Sequence, residues 1–159
     1  MAVNAYLLVK DRPGNSASKD KAIEILSFSF GASNTAYGSG MAGRDSRAGR
    51  ADINSVTVMK AVDKVSPLLF DDCVTGNVLE EAILLYDKPL GDQQEDYFKI
   101  TMEDAIITSI QLSGSAENPV ESVSFNFEKI KVSYNPEDDD GKLQGWVEKG
   151  FDIGTLKAY

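Results

Sequence analysis

The sequence predicts an all-β domain: a small closed β-barrel of two packed antiparallel sheets with one short α-helix. Three observations carry this expectation. Most segments alternate apolar and polar side chains with a period of two, the pattern of strands with one buried face. A single segment, about 66–75, combines helical spacing with helix start and stop signals. One late segment changes the parity of its apolar residues midway, and a strand absorbs such a change by bending, as strands do where a sheet closes on itself. The 159 residues suit one domain, 1–159, and a chain of that length buries roughly two-thirds of the surface it exposes unfolded.

The elements follow in order. Residues 3–9 place Val3, Ala5, Leu7 and Val9 on one face, and residues 22–30 set Leu26, Phe28 and Phe30 against Ser27 and Ser29. Within 52–61, Val56 and Val58 alternate with Ser55, Thr57 and Met59. Residues 78–86 offer apolar side chains on both faces and read as a strand covered on both sides. Residues 97–112 form a long extended run, as one bent strand or two. In 120–134, Val123, Phe125 and Phe127 share one parity and Ile130, Val132 and Tyr134 the other, so a β-bulge is expected near Glu128–Lys129. In the helix, Ser66 reads as N-cap, Pro67 as the first helical residue and Gly76 as the stop. Leu69, Phe70, Cys73 and Val74 would form its buried stripe, with Asp71 and Asp72 outside. Residues 11–20 read as an ordinary polar loop, 31–50 as a long loop rich in Gly, Ala and Ser, and 135–145 as an acidic turn.

Composition narrows the function. Sixteen basic residues stand against 25 acidic ones, a net charge of −9, opposite to what a nucleic-acid module or an anionic membrane surface requires. The chain has no histidine, which removes the commonest general base and zinc ligand, and one cysteine, Cys73, which excludes an intrachain disulfide. The N-terminus lacks the basic and apolar regions of a secretory signal, and no apolar run approaches the ~20 residues of a membrane span. A soluble protein made in the cytoplasm, with no metal and no cofactor, is the expectation.

Chemical motifs fail on inspection. Gly38-Ser39-Gly40-Met41-Ala42-Gly43 matches a dinucleotide fingerprint in letters, but no strand precedes it directly and no apolar stripe follows. Aligning Gly141 with the glycine of a calcium loop puts Pro136 and Val147 at ligand positions, where neither can serve. Cys73 has no histidine to activate it. Glu80 and Glu81 point to opposite faces of a strand. No enzyme signature survives.

Two features remain. The first is a run of small uncharged side chains, Ser27 and Ser29 on one strand and Ser122, Ser124 and Asn126 on another. It reads either as the solvent side of a sheet or as the lining of a shared, water-filled space that passes cargo without gripping it. The second is the loop 31–50, either disordered or an arm that orders against a neighbouring copy.

Six segments in order then resemble one family: Met1–Leu7; Glu24-Ile25-Leu26-Ser27-Phe28-Ser29-Phe30-Gly31; Asp63-Lys64-Val65-Ser66-Pro67-Leu68-Leu69; Cys73-Val74-Thr75-Gly76; Tyr97-Phe98-Lys99-Ile100-Thr101-Met102; and Glu121–Ile130. The chain resembles the Hcp (haemolysin-coregulated) proteins, which form the inner tube of the bacterial type VI secretion system. Two departures stand out: the family's closing Asn is absent after Gly150-Phe151-Asp152, and Arg44, Arg47 and Arg50 replace Gly/Ser character in the long loop. The resemblance implies a structural protein, not an enzyme. It implies a hexameric ring that stacks with itself into a tube, is driven by a contractile sheath, is tipped by a VgrG-type spike and carries effectors in its lumen. It also implies export from the bacterial cytoplasm without a cleaved signal peptide. Carried onto this chain, Ser27 and Ser29 face the lumen; Ser122, Ser124 and Asn126 face the lumen or an interface; and Tyr37, Met41, Arg44, Arg47 and Arg50 belong to the loop that reaches an adjacent ring or subunit. The rival readings are a phage-type tail tube protein, a monomeric β-barrel binding a small apolar ligand, and an enzyme with an unrecognised carboxylate mechanism.

Overall fold

The computed structural model describes residues 4–34, 51–115 and 117–159. In chain order the elements are β1 (Asn4–Val9), β2 (Ile23–Glu24), β3 (Ser27–Ser29), β4 (Ala32–Asn34), β5 (Ala51–Ile53), β6 (Val56–Ala61), α1 (Ser66–Thr75), β7 (Val78–Leu90), β8 (Gln93–Ser113), β9 (Val120–Asn126), β10 (Lys129–Tyr134), β11 (Val147–Asp152) and β12 (Lys157–Ala158). All pairings between strands are antiparallel.

The strands form two layers that share strands at their corners. The first layer runs β3–β6–β9–β8, using the second half of β8; the second runs β12–β11–β10–β8–β7–β1–β2, using the first half. One corner is β8 itself, a single bent strand of 21 residues. Asp104 takes a φ of 50° at the bend, and the pairing skips a residue between Ile107 and Ser109. The other corner is the chain between β2 and β3. Ile25 N–H donates to Ala5 O at 3.1 Å and Leu26 N–H to Met59 O at 2.7 Å, so two successive residues tie the second layer to the first. The circuit β1–β7–β8–β9–β6–β3/β2 thus returns to its start as a small barrel.

The core lies between the layers. Leu7, Ile23, Val56, Val58, Leu84, Ile100, Met102, Ile107, Val123 and Phe125 are buried there. Each such side chain contributes about 1.5–3 kcal/mol over leaving it in water. Leu84 and Leu85 are both buried, so β7 is covered on both sides as its sequence predicts.

Several expectations need correction. The strand expected at 22–30 is two strands around a corner, and Leu26 is 66 % exposed there instead of facing inward with Phe28. The parity change of 120–134 is resolved by leaving the ladder at Phe127–Glu128, so that β9 and β10 are separate strands lying along the same neighbour, β8. In α1 the N-cap is Val65, without a side-chain capping bond, and Ser66 is the first helical residue. The helix stops at Gly76 as expected, with a φ of 67° that suits glycine. The expected stripe is only partly buried: Leu69 is enclosed and Cys73 half-buried, while Phe70 and Val74 are exposed. Asp72, expected outside, is 1 % exposed. The Arg12 guanidinium from the supposedly ordinary loop meets it through two hydrogen bonds of 2.8 Å. Of the loop 31–50, residues Ala32–Asn34 are strand, paired with β5. Tyr37, Met41, Arg44, Arg47 and Arg50, with the glycine fingerprint around Gly40, lie outside the described residues.

Candidate functional site: an uncharged hydroxyl face

The first layer turns one face to the core and one outward. Alternation fixes the division: Val56 and Val58 on β6 and Val123 and Phe125 on β9 point inward, so their neighbours point out. Because directly paired residues share a face, the register assembles the outward side chains into rows across four strands. One row is Ser29–Thr57–Ser124–Ser109; the next is Ser27–Met59–Ser122–Gln111. With strands about 4.8 Å apart, each row spans roughly 15 Å. Asn126 sits at one end, where Ser55 Oγ donates to its Oδ1.

These rows bring together all five small side chains singled out in the sequence. Ser27 and Ser29 are exposed, and Ser122 and Ser124 are half-buried among their neighbours. The register adds Ser55, Thr57, Met59, Ser109 and Gln111. The Ser55/Thr57 alternation was visible in the sequence, but only the register reveals that β6 lies between the two strands of the pattern.

The face carries no charged side chain in either row. Its hydroxyls satisfy one another and the backbone: Thr57 Oγ1 and Ser124 Oγ lie 3.0 Å apart, and Thr108 Oγ1 donates to Ser124 O at 3.4 Å. No group in these two rows can take a proton from a serine. It can hold water and slide past a polypeptide without an ion pair to break.

Directly behind the face lies its opposite. Lys60 of β6 and Glu121 of β9 are cross-strand partners that point inward, and both are buried. Lys60 Nζ donates to Glu121 Oε1, to Ala61 O and Asp63 Oδ1 at 3.1 Å each, and to Ser66 Oγ at 3.2 Å. Ser66 Oγ donates to Glu121 Oε1 at 2.7 Å and accepts from Asp63 N–H at 3.0 Å. Glu121 Oε2 has no hydrogen-bond partner among the described residues. This cluster fastens the start of α1 to the two central strands of the face. Sequence reasoning missed it, although Lys60 shares parity with Val56 and Val58, and Glu121 with Val123 and Phe125.

Beneath α1, Asp72 is the second buried carboxylate. Burial pushes its carboxyl up, but hydrogen bonds from Arg12 and Asn77 and the charge of Arg12 overcome this and hold it below the usual carboxylate value. The same hydrogen bond raises Arg12. No helix among the described residues is long and apolar enough to cross a membrane.

The described residues form a two-layered antiparallel β-barrel with one short helix and a wettable, uncharged outer face on its first layer, the class of a small β-barrel domain. The comparisons name it. The family model "Type VI secretion system effector, Hcp" matches residues 6–134, and the chain belongs to the Hcp family of type VI secretion tube and effector proteins. It is 31 % identical over 156 residues to the protein Hcp1 of Pseudomonas aeruginosa, covering 96 % of each chain. A solved type six secretion system protein superposes with a TM-score of 0.88 at 25 % identity, over 99 % of this chain and all of the other. Hcp1 of Salmonella typhimurium shares the fold, with a TM-score of 0.77 at 24 % identity, over the whole of both chains. The family is one of structural secreted proteins, not of enzymes.

Proposed function

We propose that six copies of this chain close into a ring whose bore is lined by the hydroxyl face, and that rings stack into the tube of a type VI secretion system. The observation that carries this reading is the four-strand array of uncharged side chains, Ser29–Thr57–Ser124–Ser109 and Ser27–Met59–Ser122–Gln111. A surface facing only bulk water has no reason to exclude charge in a chain with 41 ionisable Lys, Arg, Asp and Glu side chains among 159 residues. A bore that must release what it carries does, because each buried or confined ion pair with cargo would hold it back. Ser122, Ser124 and Asn126 belong to the same lining as Ser27 and Ser29. Effectors travel in the bore, and the contractile sheath and a VgrG-type spike are the external partners. Tyr37, Met41, Arg44, Arg47 and Arg50 belong to the contact between rings or subunits. Export proceeds without a cleaved signal peptide. The ring is a head-to-tail assembly in which two different faces of the subunit complement each other.

Light scattering with negative-stain microscopy tests this. The expected particle is an annulus of about six times the 17.3 kDa subunit mass. A monomer at every concentration and salt tried overturns the reading and favours the isolated ligand-binding barrel.

A further inference from the structure

The hydroxyl face ends in a third row unlike the other two. Asn126 pairs with Ile106 and Ile106 with Val78, so these outward side chains lie side by side on β9, β8 and β7. Ile106 is 36 % exposed and Val78 54 %, and with Phe127 they floor a hollow of about 380 Å³. That is near the small end of the roughly 300–1,000 Å³ of ligand sites, room for a long side chain and not for a folded surface. The rim of the hollow is acidic. It is formed by Asp104, at the bend of β8 with its φ of 50°, and by Glu128, beside Phe127 where the chain leaves β9. Both are exposed, and no hydrogen bond or ion pair from a described residue engages either carboxylate. Lys129, next to Glu128 in the chain, lies instead 4.0 Å from Asp152.

This combination selects its occupant. An anion would meet two carboxylates, and a purely apolar group would cover them without a counter-charge. Calcium takes about six to eight oxygen ligands, more than this rim offers. A Lys or Arg side chain satisfies both parts at once. Its methylene stem lies on Val78, Ile106 and Phe127, while its charged head reaches Asp104 and Glu128 at the wet rim. We propose that the hollow binds a basic side chain of a polypeptide lying along the hydroxyl face. This rests on the ring reading and names the chemistry of what the bore holds. The two uncharged rows let a chain slide, and the grip is confined to their end, one pocket per copy. Each exposed ion pair is weak, so a lone basic residue is released readily, whereas a segment carrying several engages several copies together. Ionic strength then tunes retention, because the Debye length falls from about 10 Å at 0.1 M salt to about 3 Å at 1 M.

Fluorescence anisotropy tests it, using the full chain and three labelled peptides of one Gly/Ser backbone. They carry three lysines, three glutamines, or three diaminobutyrates, the last a cation with a short stem. At low salt the lysine peptide should bind about tenfold tighter than the glutamine peptide, with the diaminobutyrate peptide between them. Asp104→Asn combined with Glu128→Gln should lower lysine-peptide binding to the glutamine level; asparagine tolerates a positive φ, so the bend is kept. Asp139→Asn with Asp140→Asn removes the same charge from exposed positions of the acidic turn and should change binding by less than about twofold. An equal loss in that control shows attraction to net charge alone and overturns the pocket. Equal affinity for the lysine and diaminobutyrate peptides overturns it too, since the apolar floor then contributes nothing. Binding that appears only after Arg44→Ser/Arg47→Ser/Arg50→Ser puts the chain's own arginines in the pocket and overturns it as a cargo site. Light scattering on the same samples separates the two readings. An annulus without pocket-dependent binding overturns the pocket and leaves the ring standing, whereas a monomer that binds through Asp104 and Glu128 sustains the pocket and overturns the ring.

Discussion

Replacing Lys60 by methionine should be among the most damaging single changes in the barrel. Lys60 is 0 % exposed, and among the described residues its ammonium is the only cation touching Glu121. Methionine fills similar volume, so the change removes charge and hydrogen bonds without opening a large cavity. What stays behind is a buried carboxylate whose Oε2 already lacks a partner and whose Oε1 retains only Ser66. Breaking a buried pair from one side costs about 3–5 kcal/mol. For a domain of this size each kcal/mol moves the melting temperature by about 2–4 °C, so K60M should melt roughly 6–20 °C lower. The double variant K60M/E121M removes both charges and should recover most of the loss, because a well-packed apolar pair often matches or exceeds a buried ion pair. Urea unfolding of the four chains of the cycle, at one protein concentration, gives the coupling directly. If K60M lies within 1 kcal/mol of the parent, Glu121 is solvated after all and the picture of a sealed cluster fails.

Further outcomes follow from other contacts. Arg12→Ala should cost about 2–3 kcal/mol near neutrality, since Asp72 keeps only its 3.0 Å bond from Asn77. Because Asp72 titrates below its ordinary value in the folded state, its contribution is present above the unfolded carboxyl pKa and fades as pH falls through the folded one. The gap in unfolding free energy between parent and R12A should therefore narrow on acidification, and a gap constant down to pH 3 would contradict the assignment. Two glycines should respond differently to alanine. A Cβ on Gly14 would lie 2.1 Å from the Ala22 backbone oxygen, whereas one on Gly150 would meet the ring of Tyr159 at 2.5 Å. G14A should destabilise the barrel by several kcal/mol, on the order of the largest single-site effects, while G150A should only loosen β12 and be rescued by Y159A. A chemical-denaturation series on the three variants checks both. With −9 per copy, added salt should favour stacking of rings by screening their repulsion, and light scattering that falls with salt would contradict this.

Much of the fold was legible because alternation is a local signal. The β6 and β9 patterns, the two-faced β7 and the helix stop at Gly76 each follow from a few adjacent residues. What escaped depends on partners distant in sequence. Asp72 looked like an outer helix residue because nothing near it announces Arg12, sixty positions away. Leu26 looked inward because the corner at Ile25–Leu26 is imposed by Ala5 and Met59, not by a turn residue. The candidate site shows the same division. Ser27, Ser29, Ser122, Ser124 and Asn126 were recognisable as small outward positions, but their union into one surface needed Thr57 and Met59 of β6 between them.

The hydroxyl face and the buried ion cluster are consequences of one register. Side chains on a strand alternate with a period of two, so shifting β6 or β9 by a single residue would bury Thr57 and Ser124 and place Lys60 and Glu121 on the surface that is now chargeless. A strand of small polar and aliphatic residues specifies its register weakly by packing alone, since Ser, Thr and Val differ little in volume. The cross-strand pairing of Lys60 with Glu121, locked by Asp63 and Ser66 at the start of α1, penalises every slipped alignment by several kcal/mol. On this argument the charges are kept inside so that none appears outside, and the K60M/E121M double variant should preserve stability while losing uniqueness. Its test is the amide spectrum: doubled or broadened resonances confined to β6 and β9 are expected, and a single sharp set identical to the parent would show that packing fixes the register unaided.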